Sequence, residues 1–215
     1  MYAVQTYMSL SKPVKSEVQK PSGRRERAQQ RRQLLIETTV EIIGRDGIDA
    51  VNHRRVADLA GVPLGSTTYY FASREDMLVQ ALEHFGRGEI KALHERFDGL
   101  PGEHGAHELI EEFVSFLAPQ ADDTRARTVA QYTLFGEAAR RPALADVARQ
   151  WNESWWGLLT GVFEALGAEH PRLEARMFLG MLDGLLLAQL AAPEEDFGAR
   201  VLRPALRRWF ERLSR

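Results

Sequence analysis

The stretch from Asn52 to Asp76, NHRRVADLAGVPLGSTTYYFASRED, restricts the fold more than any other part of the chain. Asn52 is a good residue to cap a helix start, and Val56, Ala57 and Ala60 then share one inward face. Gly61 supplies a tight turn, Pro63 presets φ at the start of the next helix, and Gly65 to Tyr70 form that second short helix. Ser73 caps a third helix, whose positive end is matched by Glu75 and Asp76. Two short helices joined by so tight a turn make a helix-turn-helix unit.

The rest of the chain also reads as helix. From about Arg24, Ile36, Val40 and Ile43 recur at i, i+4, i+7, Leu35 and Ile42 widen the stripe, and Gly47 is a plausible stop. The helix capped by Ser73 runs to about Phe97 with Leu78, Leu82 and Phe85 on one side, and Gly86 and Gly88 weaken it locally. Residues 98–105, DGLPGEHG, break the pattern. Helical stretches follow at about Ala106–Ala118, Thr124–Arg140, Pro142–Gly167, Pro171–Ala192 and Phe197–Ser214, and Pro204 should start or kink the last. No alternating strand pattern and no repeat occurs. The expected fold is all-α: an N-terminal three-helix helix-turn-helix head followed by a larger helical bundle. The expected divisions are a flexible arm over 1–23, the head over 24–72 and the body over 73–215.

Composition narrows the function. The absence of cysteine excludes disulfides, thiolate metal sites and cysteine nucleophiles. No apolar run reaches the roughly 18–20 residues that span a bilayer; the nearest, Met177 to Ala192, carries Asp183 and Gln189. The N-terminus lacks the apolar core of a signal peptide, so the cytoplasm is the expected location. Through Arg74 there are 12 Lys+Arg against 7 Asp+Glu, and beyond it 16 against 23. A basic front and an acidic back point to a nucleic-acid-facing end joined to something else. His104 and His107, with Glu103 or Glu108, have the residue types for a metal site, but a solvated loop accounts for them better; no metal and no cofactor is expected. No nucleophile–base motif or phosphate-cradling glycine loop is present, so no enzyme is expected.

The head carries residue types for both phosphate and base contact. His53, Arg54 and Arg55 place cations where backbone N–H groups are free. Ser66, Thr67, Thr68, Tyr69 and Tyr70 give the second helix hydroxyls and rings, Leu64 can meet a thymine methyl or stay exposed, and Arg74 adds a cation beyond the helix. A helical hairpin with a polar rim would look the same by spacing alone. The segments LLIETTVEIIGRDGIDAVN, VADLAGV and GSTTYYFASREDML, however, resemble the DNA-binding head of the tetracycline-repressor (TetR) family of bacterial transcriptional regulators. The resemblance covers about Arg27 to Leu82. It implies DNA contacts for His53, Arg54, Ser66, Thr68, Tyr70 and Arg74, and a core anchor at Phe71. Thr68 stands where the family often has Tyr, and Arg74 where it often has Lys. Tyr69 is read as packed.

The resemblance also implies a dimer face on the last two helices and a ligand pocket among the middle ones. Met181, Leu185, Ala188, Leu202, Leu206, Trp209 and Phe210 are the candidates for the dimer face, with intrachain core as the other reading. Phe116, Tyr132, Phe135, Trp151, Trp155, Trp156, Met181 and Asp183 are the candidates for the pocket, with ordinary packing as the other reading. Asp183 sits in a strongly apolar helix and needs a partner or a raised pKa. A cationic ligand, a cation of the dimer mate, or backbone, Arg or His within the body would serve. The expected function is a ligand-responsive repressor that binds a palindromic double-stranded operator as a homodimer. A small apolar or aromatic effector would release it, through the Ser73–Phe97 helix. The alternative is a helix-turn-helix regulator without an effector, acting through protein contacts or as an activator.

Overall fold

A computed structural model of the chain describes residues 23–97, 106–121 and 124–213, with the side chains of Arg24, Leu93, His94, Phe97 and Ala106 left out. The expected arm, apart from Gly23, and the 98–105 break with His104 lie outside the described residues. The chain divides into two compact units, residues 1–32 and 33–215. The described part of the first holds only the opening turns of α1.

Among the described residues there are nine α-helices and no strand. They are α1 (Gly23–Asp46), α2 (His53–Leu59), α3 (Leu64–Tyr70), α4 (Arg74–Phe97), α5 (Ala106–Ala121), α6 (Arg125–Glu137), α7 (Pro142–Ala165), α8 (Pro171–Ala191) and α9 (Arg203–Leu213). A 3₁₀ turn at Ile48–Ala50 follows α1, and a π turn at Gly198–Leu202 precedes α9.

The local signals act as the residues predict. Asn52 Oδ1 accepts from Arg55 N at 2.9 Å and starts α2. Gly61, at φ 64°, makes the turn to α3 in a region that disfavours any residue with a Cβ. Ser73 Oγ accepts from Asp76 N at 3.1 Å while Asp76 Oδ2 accepts from Ala72 N at 2.8 Å, so the start of α4 is closed from both sides. α4 continues unbroken through Gly86 and Gly88.

Two boundaries differ from expectation. α5 runs past Pro119 to Ala121 rather than stopping at Ala118. A proline in a last turn removes only one helical bond, and two carbonyls left open by the helix end find other donors: Thr124 N reaches Pro119 O at 3.0 Å, and Thr128 Oγ1 reaches Gln120 O at 2.7 Å. The final helix is shorter than Phe197–Ser214. The chain widens into the π turn and the α-helix begins at Arg203, so Pro204 sits in the first turn, where it has no helical donor to lose.

One apolar core runs through the second unit. It takes Leu35, Ile36, Ile42 and Ile43 from α1, Phe71 after α3, and Leu78, Leu82 and Phe85 from α4. In the bundle Phe178 meets Phe113, Phe163 and Trp209 edge-on at ring separations of 5.1, 5.5 and 5.6 Å. α7 packs along both α4 and α8, and α9 packs on α5. Glu111 and Arg203 join α5 to α9 through two parallel hydrogen bonds of 2.7 and 2.8 Å.

The head meets the bundle through backbone. A Cβ on Gly44 of α1 would lie 2.0 Å from the carbonyl oxygen of Ala126 in α6. His84 of α4 bridges the same two helices, with Nδ1 3.2 Å from Gln33 Nε2 of α1 and Nε2 3.1 Å from Arg127 Nη2 of α6. Gly44→Ala therefore sets two effects against each other. Helix propensity favours Ala by up to about 1 kcal/mol, whereas overpacking against an unyielding carbonyl costs about 1–3 kcal/mol. The clash should win and lower Tm by a few degrees in a thermal melt; an unchanged or raised Tm would show that the two helices separate freely.

Candidate DNA face and ligand cavity

Thr67 and Tyr70 of α3, with Phe71 just after it, turn inward, which leaves Leu64, Gly65, Thr68 and Tyr69 on the outer face. Tyr69 is 80% exposed, so it is not packed as expected. It lies about 200° around the helix from Thr67, at roughly 100° per residue, and Thr67 is the residue that enters the core. The Tyr69 ring stands edge-on to Tyr70 at 4.9 Å, and Tyr70 is half-buried against the core.

Thr67 is fully buried, and its hydroxyl donates to Leu64 O at 2.8 Å, which takes it off the outer surface. Arg74 is engaged inside the head. Its Nε donates to Val51 O at 2.9 Å and its Nη2 to Ile48 O at 2.7 Å, so it holds the 3₁₀ turn against the start of α4. Arg55 pairs with Asp46 at 2.7 Å. Arg54 is the freest cation of the group, with its side chain 86% exposed beside Asp58. A surface groove on α2 joins Arg54 and Arg55 with Arg45 and Asn52. Ser66 and His53 are half-buried and Thr68 is exposed.

In the bundle a cavity opens between α4, α5, α6, α7 and α8. Of the expected pocket residues, Tyr132, Phe135, Trp151, Trp155 and Asp183 line it. Three others do not. The Phe116 ring packs edge-on against the outer side of Trp155 at 6.2 Å, Trp156 lies beneath Arg176 at 4.2 Å, and Met181 packs on the core from a half-exposed position. The cavity also holds an acid that the expectation missed: Glu89 of α4.

The two carboxylates shape its chemistry. Tyr132 Oη donates to Asp183 Oδ1 at 2.9 Å, and burial raises the Asp183 pKa against that bond. Burial also raises Glu89, to about 7, with hydrogen bonds from Gln131 and Trp155 opposing it and Asp183 adding repulsion. Tyr132 is pushed well above the usual phenol range by burial and by Asp183. The cavity is narrow, about 50 Å³.

The expected dimer-face residues divide in two. Leu202 of the π turn and Leu206 and Phe210 of α9 are buried within the chain itself: α9 packs on α5 and the π turn, and the Phe210 ring lies 5.9 Å from Phe178 of α8 and 6.4 Å from Phe163 of α7. These three therefore belong to the core and not to a free surface. Ala188 is exposed, and Met181, Leu185 and Trp209 are half-buried. The open apolar stripe lies on α8, where Leu173, Met177 and Leu187 are 54%, 42% and 47% exposed and Gly180 and Gly184 lie between them.

A short helix pair with an exposed second helix, set on a helical bundle with an internal cavity, is the architecture of a DNA-binding regulator. Comparison with known proteins agrees. Residues 35–81 match the family described as bacterial regulatory proteins, tetR family, and residues 104–212 match the tetracyclin repressor-like C-terminal domain. The chain belongs to the TetR family of DNA-binding transcriptional regulators. It is 26% identical over 165 residues to the HTH-type transcriptional regulator BetI of Pseudomonas aeruginosa, covering 73% of this chain and 80% of BetI. Among solved structures, the multidrug binding protein EbrR complexed with ethidium is 32% identical at a TM-score of 0.63, over 83% of this chain and 98% of that one. SCO7518 of Streptomyces coelicolor A3(2) is 28% identical at a TM-score of 0.66, over 84% and 98%. No helix among the described residues is long and apolar enough to cross a membrane.

The Glu89 pKa is higher in the fold than in the unfolded chain, so its stabilising proton is fully held below about 4.5 and lost as pH rises through about 7. Glu89→Gln should therefore raise Tm over the parent at about pH 8 and give no gain at about pH 4.5; an equal gain at both would contradict the assignment. In DNA titrations at several salt concentrations, Arg54→Ala should flatten the salt dependence by about one phosphate. Arg74→Ala should instead lower Tm, because it removes the clamp on the 3₁₀ turn. The reverse pattern would exchange the two roles.

Proposed function

We propose that this regulator is a ligand-responsive repressor, that it binds a palindromic operator as a homodimer in the cytoplasm, and that a small planar cation releases it. The observation that carries the reading is the cavity, with its aromatic walls and its two carboxylates. Aromatic rings favour a planar ligand, and carboxylates in an apolar pocket favour a positive one. EbrR, a structural relative, is complexed with ethidium, with proflavin and with malachite green.

The DNA face assigned here comprises Leu64, Ser66, Thr68 and Tyr69 on α3, flanked by His53, Arg54 and Arg55 on α2. Tyr69 reaches furthest and Arg54 supplies the phosphate contact. One such face covers few base pairs, and a two-fold dimer doubles it across half-sites roughly 34–36 Å apart. The apolar stripe of Leu173, Met177 and Leu187, with glycines that let a second helix approach, supports pairing through α8.

Release follows from the size of the cavity. Pockets for such ligands hold roughly 300–1,000 Å³, against the 50 Å³ present here. A bound ring system must part the helices that line the cavity. α6 is one of them, and its first turn abuts Gly44 of the head. A widened cavity thus favours a state in which the heads no longer match consecutive major grooves.

The test is selection of the purified protein on a randomised duplex library at two salt concentrations, followed by ethidium titration of the selected complex. A palindrome bound with Kd on the order of 10⁻⁸–10⁻¹¹ M and released by ethidium is the expected result. Weak binding indifferent to sequence would remove the operator reading. A tight palindrome that ethidium and other planar cations leave untouched would favour a regulator without an effector.

A further inference from the structure

The residues lining the cavity include Glu89 and Asp183 but no lysine, arginine or histidine. Glu89, from α4, is faced by Asp183 of α8, by Gln131 and Tyr132 of α6 and by Trp155 of α7. Arg127 of α6 attracts it, but weakly beside the effect of burial. The Arg127 guanidinium is engaged elsewhere, 3.1 Å from His84 Nε2 and over the Phe85 ring at 4.8 Å. Asp183 is faced by the Tyr132 hydroxyl, a neutral donor.

Two carboxylates in one apolar pocket repel, and each loses hydration on ionising. Without a counter-cation in the wall, the cheapest arrangement is one negative charge and one proton for the pair. A cation entering the pocket supplies the missing charge and makes full ionisation favourable.

We propose that this cavity is a cation–proton exchange site: a planar monocation binds there by displacing the single proton that Glu89 and Asp183 hold as a pair, and that proton passes to water. The inference rests on the reading of the cavity as the effector site and adds how that site is regulated. The charge of the filled cavity stays at minus one, whichever positive species occupies it. A neutral planar compound displaces nothing. Charge, and not only shape, then selects the effector, and acidification opposes its binding. The raised Glu89 value places the change near neutral pH.

The experiment is a fluorescence titration of the full chain with ethidium, a permanent cation with no proton of its own, from about pH 5.5 to about pH 8.5 at fixed ionic strength. Calorimetry in two buffers of different ionisation enthalpy counts the protons released. Acridone serves as the neutral planar probe. Affinity for ethidium should fall about tenfold for each pH unit below about 7 and level off above it, with about one proton released per ethidium at about pH 6. Acridone affinity should not fall on acidification. Glu89→Gln should flatten the ethidium profile between about pH 6 and pH 8 while keeping acridone binding, which reports an intact pocket. Should that variant fail to fold, Glu89→Ala removes the same carboxyl with the same expectation. Ethidium binding that is independent of pH, or a steep profile that survives both substitutions, overturns the exchange and leaves the effector reading standing. Acridone binding without ethidium binding overturns the cationic site, and binding of neither overturns the effector reading and the exchange with it.

Discussion

Where α1 meets α6 there is no side chain to cushion the contact. Gly44 faces the carbonyl of Ala126 so closely that a single methyl would lie 2.0 Å from its oxygen. Packed backbone of this kind shifts as a unit and does not deform gradually. Anything that displaces the first turn of α6 is therefore felt by the helix on which α2 and α3 are built. His84 and Arg127 reinforce the junction from α4 and α6, and burial together with Arg127 lowers the His84 pKa, which keeps the ring neutral and able to accept a hydrogen bond.

The same helix reaches the cavity. From Ala126 to Tyr132 the rise along α6 is about 9 Å, and Gln131, Tyr132 and Phe135 form one wall. The Tyr132 hydroxyl ties that wall to Asp183 in α8. A ligand too large for the present cavity must move α4, α5, α6, α7 or α8. Two of these, α4 and α6, carry the contacts to the head. The coupling free energy needed is modest, since 1–3 kcal/mol changes an affinity by roughly 5–150-fold.

Much of this was legible in the residues. Asn52, Gly61 and Ser73 mark cap, turn and cap, and the helices fall where those signals put them. Phe71 is buried as the resemblance implied. Tyr69 and Tyr70 look alike in sequence, and only the helical phase set by Thr67 separates the inner ring from the outer. Arg74 looks in sequence like a free cation, because nothing local shows that the carbonyls of Ile48 and Val51 lie within its reach. Glu89 left a usable trace. It continues the series Leu78, Leu82, Phe85 at the same spacing, so an acid stands on an apolar face. Leu202 of the π turn with Leu206 and Phe210 of α9 make a clean apolar stripe, but a stripe alone does not distinguish an intrachain partner from a second copy.

The central claim is that occupancy of the cavity and DNA binding are linked through α6. Linkage requires the effect to be equal in both directions. The direct measurement is the Kd of ethidium for the free protein and for the protein saturated with its operator duplex, beside the operator Kd with and without saturating ethidium. The account predicts that operator DNA weakens ethidium binding by the same factor, of at least about fivefold, by which ethidium weakens operator binding. Equal ethidium affinity in the two states would contradict it and would leave the cavity without a connection to the head.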